Sequence, residues 1–422
     1  MQRRTKRITA GIAAAASVLA LTACGSGFSG GSSGSSSSSG AAGGLTSSKS
    51  ALTVLIGSSG DAETAAVKSA VADWSSSSGT KATVQAASNL PQQLSQGFAA
   101  KKPADVFYLG SDTFASYAKQ GDLLAYGDQL KNRSDYYPSL VTNFTYQGRF
   151  YCAPKDFSTL QLEINTDMWK AAGLTDSDIP TTWDQLATVA KKLTKGKVAG
   201  LVTSNEYQRL GAFMVEAGGN LTNDQNTKAT VDSAANLQAL TFAQNGLKAG
   251  WWKLTKDVGA GWGGEAFGKG LAAMTIEGNW IAGAMTTDYP KVHYKVVPLP
   301  AGPAGKGTLQ FTNCWGIAAD SPNQAAALKL VEQLTTAKDQ LAFAKAFGVM
   351  PSIKSAAADW KSRFPQFAPF LDAADYAKGV PTSVGSADVV TDMNSKMAAL
   401  KTLDIKQLLA TEQKNLSAVV TG

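Results

Sequence analysis

Apolar and polar positions follow two spacings along this chain, and the changes of spacing mark its elements. "ALTVLIGSSG" carries an unbroken apolar run from Leu52 to Ile56 that ends in small residues, the pattern of a buried strand. In "DAETAAVKSAVADWSSSSG", Ala66, Val67, Ala70, Val71 and Trp74 recur at helical spacing, which predicts an amphipathic helix capped by Asp61. "KATVQAA" predicts a second strand and "LPQQLSQGFAAKKP" a helix; "ADVFYLG" is a third strand running into the helix of "SDTFASYAKQGDLL". Strands alternating with helices predict a parallel sheet and an α/β fold.

The pattern then changes. "GRFYCAPKDFSTLQLEINTDMWKAAGL" reads as two extended stretches around Pro154, continuing into a helix at Asp167. Two strand-like passes with no helix between them suit a crossover between domains. "TTWDQLATVAKKL" predicts a helix capped by Thr182, "LAAMTIEG" a strand, "NWIAGAMTTDYP" a short helix and "VHYKVVPLP" another strand. "TLQFTNCWGIAAD" is again extended; "SPNQAAALKLVEQLTT" predicts a helix with Ser321 as cap and Pro322 at its first position. From Asp339 onward the pattern is mostly helical, and no internal repeat is visible.

The ends change the picture. Arg3, Arg4, Lys6 and Arg7 precede an apolar run from Ile8 to Leu21, a signal peptide too short to span a bilayer comfortably. Leu21-Thr22-Ala23-Cys24 looks like a bacterial lipobox, which implies removal of residues 1–23 and a lipid on Cys24. Residues 25–50 are almost entirely Gly, Ser and Ala, a composition that cannot bury a core and predicts a flexible tether for residues 24–50. The +7 net charge invites a nucleic-acid reading, but four of the 39 basic residues fall in the cleaved segment. The remaining 35 stand against 32 acids without clustering, so the footprint of a phosphate-backbone binder is missing. Cys152 and Cys314 form an even pair in an exported chain, which favours a disulfide over two buried free thiols.

"VGAGWGGEAFGKGLAAMTIEGNW" carries two nucleotide motifs by letter. Gly259, Gly261 and Gly264 match G-x-G-x-x-G, and Gly263 to Lys269 match G-x-x-x-x-G-K. A dinucleotide fingerprint needs a buried strand before it and a long helix after it. "WWKLTKD" reads as no buried strand, and "EAFGKG" is too short and glycine-rich for that helix. Gly270 stands where a P-loop needs Ser or Thr, and a strand follows. Neither ATP nor NAD is expected to bind, and no cofactor is called for. The glycines are read instead as letting Trp262 stand clear, either as a platform for an apolar ligand face or as a plug folded on its own domain. Trp280, after Gly278-Asn279, has the same two readings. Sugars present C–H faces to indole and hydroxyls to carboxylates, so aromatic and acidic residues together suit an uncharged carbohydrate.

At these residues the sequence resembles the extracellular solute-binding proteins of carbohydrate ABC transporters, which include maltose-binding protein. Four pieces carry the likeness in the family's order: "ADVFYLGSDTFASYAKQGDLL", "YQGRFYCAPKDFSTLQLEINTDMW", "EAFGKGLAAMTIEGNW" and "ADSPNQAAALKLVEQLTT". The resemblance implies a two-lobe, class II periplasmic-binding-protein-like α/β fold with hinge crossovers and ligand in the interlobe cleft. It places lobe one at 51–157 and 311–355, and lobe two at 158–310 and 356–422. It implies sugar contacts at Asp61 and Asp112 from lobe one and Asp156 at the crossover. Tyr207, Arg209 and the stacking Trp280 would come from lobe two, while Trp262 and Glu265 rest on the loop argument alone. The family's crossover acid falls on Ser158, and "PTSVGSADVVTDMN" lacks a further tryptophan that maltose-binding protein has; both point to a sugar other than maltose. The expected partners are a carbohydrate and the permease subunits of an ABC transporter. The lipid is the only expected membrane contact, at the outer face of the bacterial cytoplasmic membrane, and a monomer is expected.

Two rival classes have their own signatures. A secreted glycosidase or lyase would use paired carboxylates, for which Glu265, Glu277, Asp112 and Asp156 are available. A Ser-His-Asp triad would need His293, the only histidine, which lies in the alternating strand "VHYKVV" and reads as structural. No Cys/His spacing suggests a metal site. A binder of polyamines or peptides would have a more acidic cleft.

Overall fold

The computed structural model describes residues 44–420. The signal peptide, Cys24 and most of the expected tether lie outside the described residues. The first lobe opens as the apolar periodicity predicts, with β1 (Leu52–Ile56), α1 (Asp61–Ser78), β2 (Ala82–Ala86), α2 (Leu90–Ala99), β3 (Val106–Gly110) and α3 (Ser111–Gln120). A short helix α4 (Pro138–Asn143) and a hairpin, β4 (Thr145–Tyr146) with β5 (Arg149–Phe150), lead into the long strand β6 (Ala153–Asn165). The second lobe contains α5 (Thr166–Ala171), α6 (Trp183–Leu193), β7 (Ala199–Thr203), α7 (Tyr207–Glu216), α8 (Ala234–Ala249), β8 (Trp252–Leu254), α9 (Gly263–Gly268), β9 (Ala272–Gly278), α10 (Ile281–Thr287) and β10 (Tyr294–Val297). The chain returns through β11 (Thr308–Ile317) to α11 (Gln324–Leu334), α12 (Ala337–Phe347), α13 (Ala357–Arg363) and α14 (Ala368–Asp372). It ends with β12 (Ala377–Lys378), α15 (Ser386–Met397) and α16 (Ile405–Val419).

One twisted sheet runs through both lobes in the order β2-β1-β3-β11-β6-β9-β7-β8. Its outer thirds are parallel, β2-β1-β3 on one side and β9-β7-β8 on the other. Between them the two crossover strands, β6 and β11, pair antiparallel. Strand β6 is divided: Ala153 to Thr159 pair with β11, whereas Leu160 to Ile164 pair with β9. A third pass, β12, adds to β11 at Thr308 and Leu309. Two hydrophobic cores flank this hinge. One is built chiefly from Leu52 to Phe157 and Cys314 to Ala374, the other chiefly from Leu160 to Leu309 and Val390 to Val420. Trp360, Phe370 and Leu371 therefore pack in the core of the first lobe, beyond the 355 boundary expected from sequence.

Cys152 and Cys314 are joined, with Cα atoms 5.7 Å apart and both residues buried. The bridge sits where Ala153 pairs with Trp315, so it clamps the two crossover strands on the first-lobe side of the hinge.

Four local expectations are corrected. Asp61 is the first residue of α1 and caps nothing; the acid that serves this terminus is Glu63, whose carboxylate accepts from the backbone and hydroxyl of Ser59, both at 2.7 Å. Only a side chain one turn in can reach back to a donor before the helix. Helix α11 starts at Gln324 rather than Pro322, with Asn323 at the cap position; the Ser321 hydroxyl lies in the turn before it, donating to Asp105 at 2.6 Å and accepting from Asn323 N at 3.3 Å. The last residues of the expected tether are held against the first lobe: Thr46 donates from its hydroxyl to Ser321 O at 2.7 Å, and Asn323 Nδ2 donates to Ser50 O at 3.0 Å. "WWKLTKD" does contain a buried strand, β8, which pairs with β7 and buries Trp251 and Trp252.

Candidate functional site

A cleft of ≈ 470 Å³ opens beside the hinge strands. Gly57, Ser59 and Glu63 follow β1, and Gly110, Ser111 and Asp112 follow β3, so the first-lobe wall is made where parallel strands end. Gln208, Asn279 and Trp280 form the facing wall; Lys155 to Ser158 and Phe311 to Asn313 supply the floor.

The floor owes its chemistry to an irregularity in β6. Asn313 pairs with Asp156, but the next residue, Cys314, pairs with Pro154, leaving Lys155 as an extra residue in the strand. Strict alternation would send Lys155 and Asp156 to opposite faces; a bulge turns both toward the cleft. The buried Lys155 ammonium binds Asp156, lies 3.4 Å from Glu63 Oε1 and sits 4.4 Å from the centroid of the Tyr108 ring. Burial alone would raise the Glu63 carboxyl, but Lys155 and the Ser59 donors outweigh it and hold the pKa below the usual value. Burial opposes the charged lysine as well, and Asp156 and Glu63 overcome it, so Lys155 stays protonated. Asp156 is raised, burial being only partly offset by Lys155. Three carboxylates, Glu63, Asp112 and Asp156, thus line the cleft against one ammonium that is already engaged.

On the opposite wall, Trp280 is 39% exposed, the most exposed large apolar side chain among the described residues. Its ring lies back over Gly278, where any Cβ would strike it. The indole N–H donates to Glu277 Oε2 at 2.9 Å, and the same oxygen accepts from Arg209 Nε at 3.1 Å and Nη2 at 2.7 Å. The Arg209 guanidinium carbon is 5.2 Å from the indole ring, and Phe311 meets the ring edge-on at 5.7 Å. Glu277 is fully buried, which raises its pKa despite Arg209.

The family model for bacterial extracellular solute-binding proteins matches residues 57–341, well over half of the chain. The chain belongs to that family. Among its relatives, the diacetylchitobiose-binding protein DasA of Streptomyces coelicolor is 26% identical over 293 residues, 64% of this chain and 66% of that protein, so the match spans just under two thirds of the relative's length. Solved structures of the same fold include the cyclic α-maltosyl-1,6-maltose-binding protein of Arthrobacter globiformis, with TM-score 0.78 at 17% identity over 88% of this chain and 99% of that one. The GacH receptor of Streptomyces glaucescens, solved unliganded and with acarbose, aligns with TM-score 0.73 at 21% identity over 88% and 98% of the two chains. The two-lobe architecture of these solute-binding proteins is the one described above.

Of the residues singled out from sequence, the cleft gathers Asp112, Asp156 and Trp280. The others lie elsewhere. Asp61 is exposed on the first turn of α1 and does not line the cleft. Tyr207 is 0% exposed, its hydroxyl donating to Asn220 at 2.5 Å inside lobe two, and burial pushes the phenol well up. Gly211 one turn later makes the room: a Cβ there would lie 2.6 Å from the Tyr207 ring. Arg209 stands behind Trp280 rather than in the cleft wall. Trp262 does not stand clear; its half-buried ring folds over Gly264 and packs on the first core. Glu265 pairs with Lys269 and accepts from Gly261 N at 2.6 Å, away from the cleft, and these bonds hold its carboxyl below the usual value. His293 pairs with Asp167 on the surface at 2.9 Å. Sequence reading missed Lys155 and Glu63, the two residues that organise the floor. Among the described residues, no cluster of His, Cys, Asp and Glu is arranged to hold a metal, and no helix is long and apolar enough to cross a membrane.

Proposed function

We propose that this protein is a lipid-anchored extracytoplasmic receptor that captures a sugar or oligosaccharide and delivers it to the permease of an ABC transporter. The observation that carries the reading is Trp280, an exposed indole facing a cleft whose far wall and floor present Asp112 and Asp156. An apolar ring face opposite charged acceptors complements a pyranose, which has C–H faces and hydroxyl donors. The cleft volume of ≈ 470 Å³ falls in the range of small-molecule sites, about 300–1,000 Å³. The saccharide-binding names of relatives within the family support the same ligand class.

Asp112 comes from lobe one, Asp156 from the hinge strand and Trp280 from lobe two. A ligand that touches all three favours the closed form over the open one, and so shifts the hinge toward closure. The lipid on Cys24 keeps the loaded protein beside its permease, and the chain acts as a monomer that returns its ligand unchanged.

The test is a thermal-shift screen over mono- and oligosaccharides, since a ligand specific to the folded state raises the melting temperature. A saccharide that does so is expected to reduce the radius of gyration in small-angle scattering and to be recovered intact after overnight incubation. No shift with any saccharide refutes the ligand class, an unchanged radius at saturation refutes closure, and conversion of the sugar refutes a pure binding role.

A further inference from the structure

Arg209 and Glu277 form a nearly dry ion pair, with side-chain exposures of 12% and 0%, directly beneath the indole of Trp280. A buried ion pair adds little to stability by itself, so its placement invites another explanation. All the donors converge on one atom: Glu277 Oε2 takes two N–H groups from Arg209 and one from Trp280. Glu277 is itself tied down. Its backbone N–H donates to Glu163 on the hinge strand β6 at 3.0 Å, and Gly263 leaves only enough room for Glu277 Oε1, which a Cβ would approach to 2.5 Å.

We propose that Glu277 and Arg209 are positioning residues: they hold the Trp280 indole at one angle as the ligand platform and set affinity without touching the ligand. Packing against Phe311 and the Gly278 backbone covers only part of this indole, which is 39% exposed. The carboxylate fixes the N–H edge, the planar guanidinium covers the face toward the protein, and the remaining face is presented to the cleft. Rotamer freedom is then lost during folding and not at binding, which is how preorganisation raises affinity. The arrangement also accounts for Gly278, since the ring occupies the space a side chain there would need. This proposal rests on the reading of Trp280 as a ligand contact.

The experiment uses Glu277→Gln and Arg209→Lys in the full chain. Arg209→Lys keeps the charge and removes the planar fork, so it remains informative if Glu277→Gln fails to fold. The first readout needs no ligand: the Trp280 indole N–H resonance, identified by its absence in Trp280→Phe, should shift and exchange faster with solvent in both variants. The second is titration with N,N′-diacetylchitobiose and maltotriose. For whichever binds, each variant should weaken affinity about tenfold, or about 1.4 kcal/mol. In a Trp280→Ala background the same changes should alter affinity by less than about twofold. An unmoved indole resonance, wild-type affinity in folded variants, or full additivity with Trp280→Ala overturns the proposal. Trp280→Ala binding as tightly as wild type would instead refute the platform reading beneath it, a separable outcome.

Discussion

Replacing Lys155 by methionine tests whether the cleft floor is the charge-balanced device the geometry indicates. The side chain keeps its length and apolar stem and loses only the ammonium. That ammonium faces Asp156 directly, Glu63 at 3.4 Å and the Tyr108 ring at 4.4 Å, all of them buried. Its removal leaves two buried carboxylates on the cleft floor with no counter-ion. Breaking a buried pair in this way costs about 3–5 kcal/mol. With about 2.1 cal/mol/K of unfolding entropy per residue over roughly 370 folded residues, each degree corresponds to about 0.8 kcal/mol. The variant should therefore melt about 4–6 °C below wild type at pH 7.5, as measured by scanning calorimetry. The pH dependence carries the mechanism. Without Lys155 the folded-state pKa of Glu63 rises above its unfolded value, and that of Asp156, already raised by burial, rises further. That penalty is fully present well above those values and disappears as pH falls and both acids protonate. The gap between wild type and variant should narrow toward pH 4.5. A melting point within one degree of wild type at pH 7.5, or a gap that widens on acidification, refutes the charge-balance argument.

Three further outcomes are expected. Replacing both Cys152 and Cys314 by alanine releases a loop of 162 residues, for which the chain-entropy relation gives about 5 kcal/mol; a urea midpoint equal to wild type would end that claim. Glu216 is fully buried, accepts from Trp183 Nε1 at 2.5 Å and has its pKa pushed well up by burial, so its destabilising contribution is present above the folded pKa and fades as pH falls. Stability should rise from pH 8 toward pH 5, and Glu216→Gln should flatten that slope in urea titrations; an unchanged slope counts against a raised Glu216. Because the one lysine of the cleft is spent on two acids, a phosphorylated or uronic-acid derivative of the bound sugar should bind at least about a hundredfold more weakly than its neutral parent by calorimetry, like charges costing several kcal/mol; equal affinity would show that the acids do not face the ligand.

What the sequence disclosed and what it hid divide along one physical line. Features set by local spacing were legible: the alternating strands and helices of the first lobe, the paired extended passes around Pro154 and Thr308 to Ile317, and the Thr182 cap. Features set by register or by a missing side chain were not. "APKDF" reads as a strand whose Lys155 and Asp156 point to opposite sides, and only the pairing of Cys314 with Pro154 shows that the lysine is a bulge residue. Glu63 looked like any acid in a first helical turn until that bulge brought an ammonium to it. The glycines misled in the opposite sense. They were read as freeing Trp262 from its neighbours, yet Gly264, Gly211 and Gly278 each remove a Cβ so that the nearby Trp262, Tyr207 or Trp280 ring can lie against its own backbone. For Trp262 and Tyr207 the ring thereby turns away from the cleft; for Trp280 it turns toward it. In each case a glycine two to four residues away clears the space for the ring. The difference is the partner: Tyr207 finds Asn220 inside its lobe, Trp262 finds the backbone of Gly264 and the apolar cluster that includes Phe267 and Ile281, and Trp280 finds a carboxylate held at the rim. Which way such a ring turns is decided less by its own neighbours in sequence than by the group that fixes its polar edge, and for Trp280 that group, Glu277, lies three residues away at a strand end, where the sequence offered it only as a candidate catalytic acid.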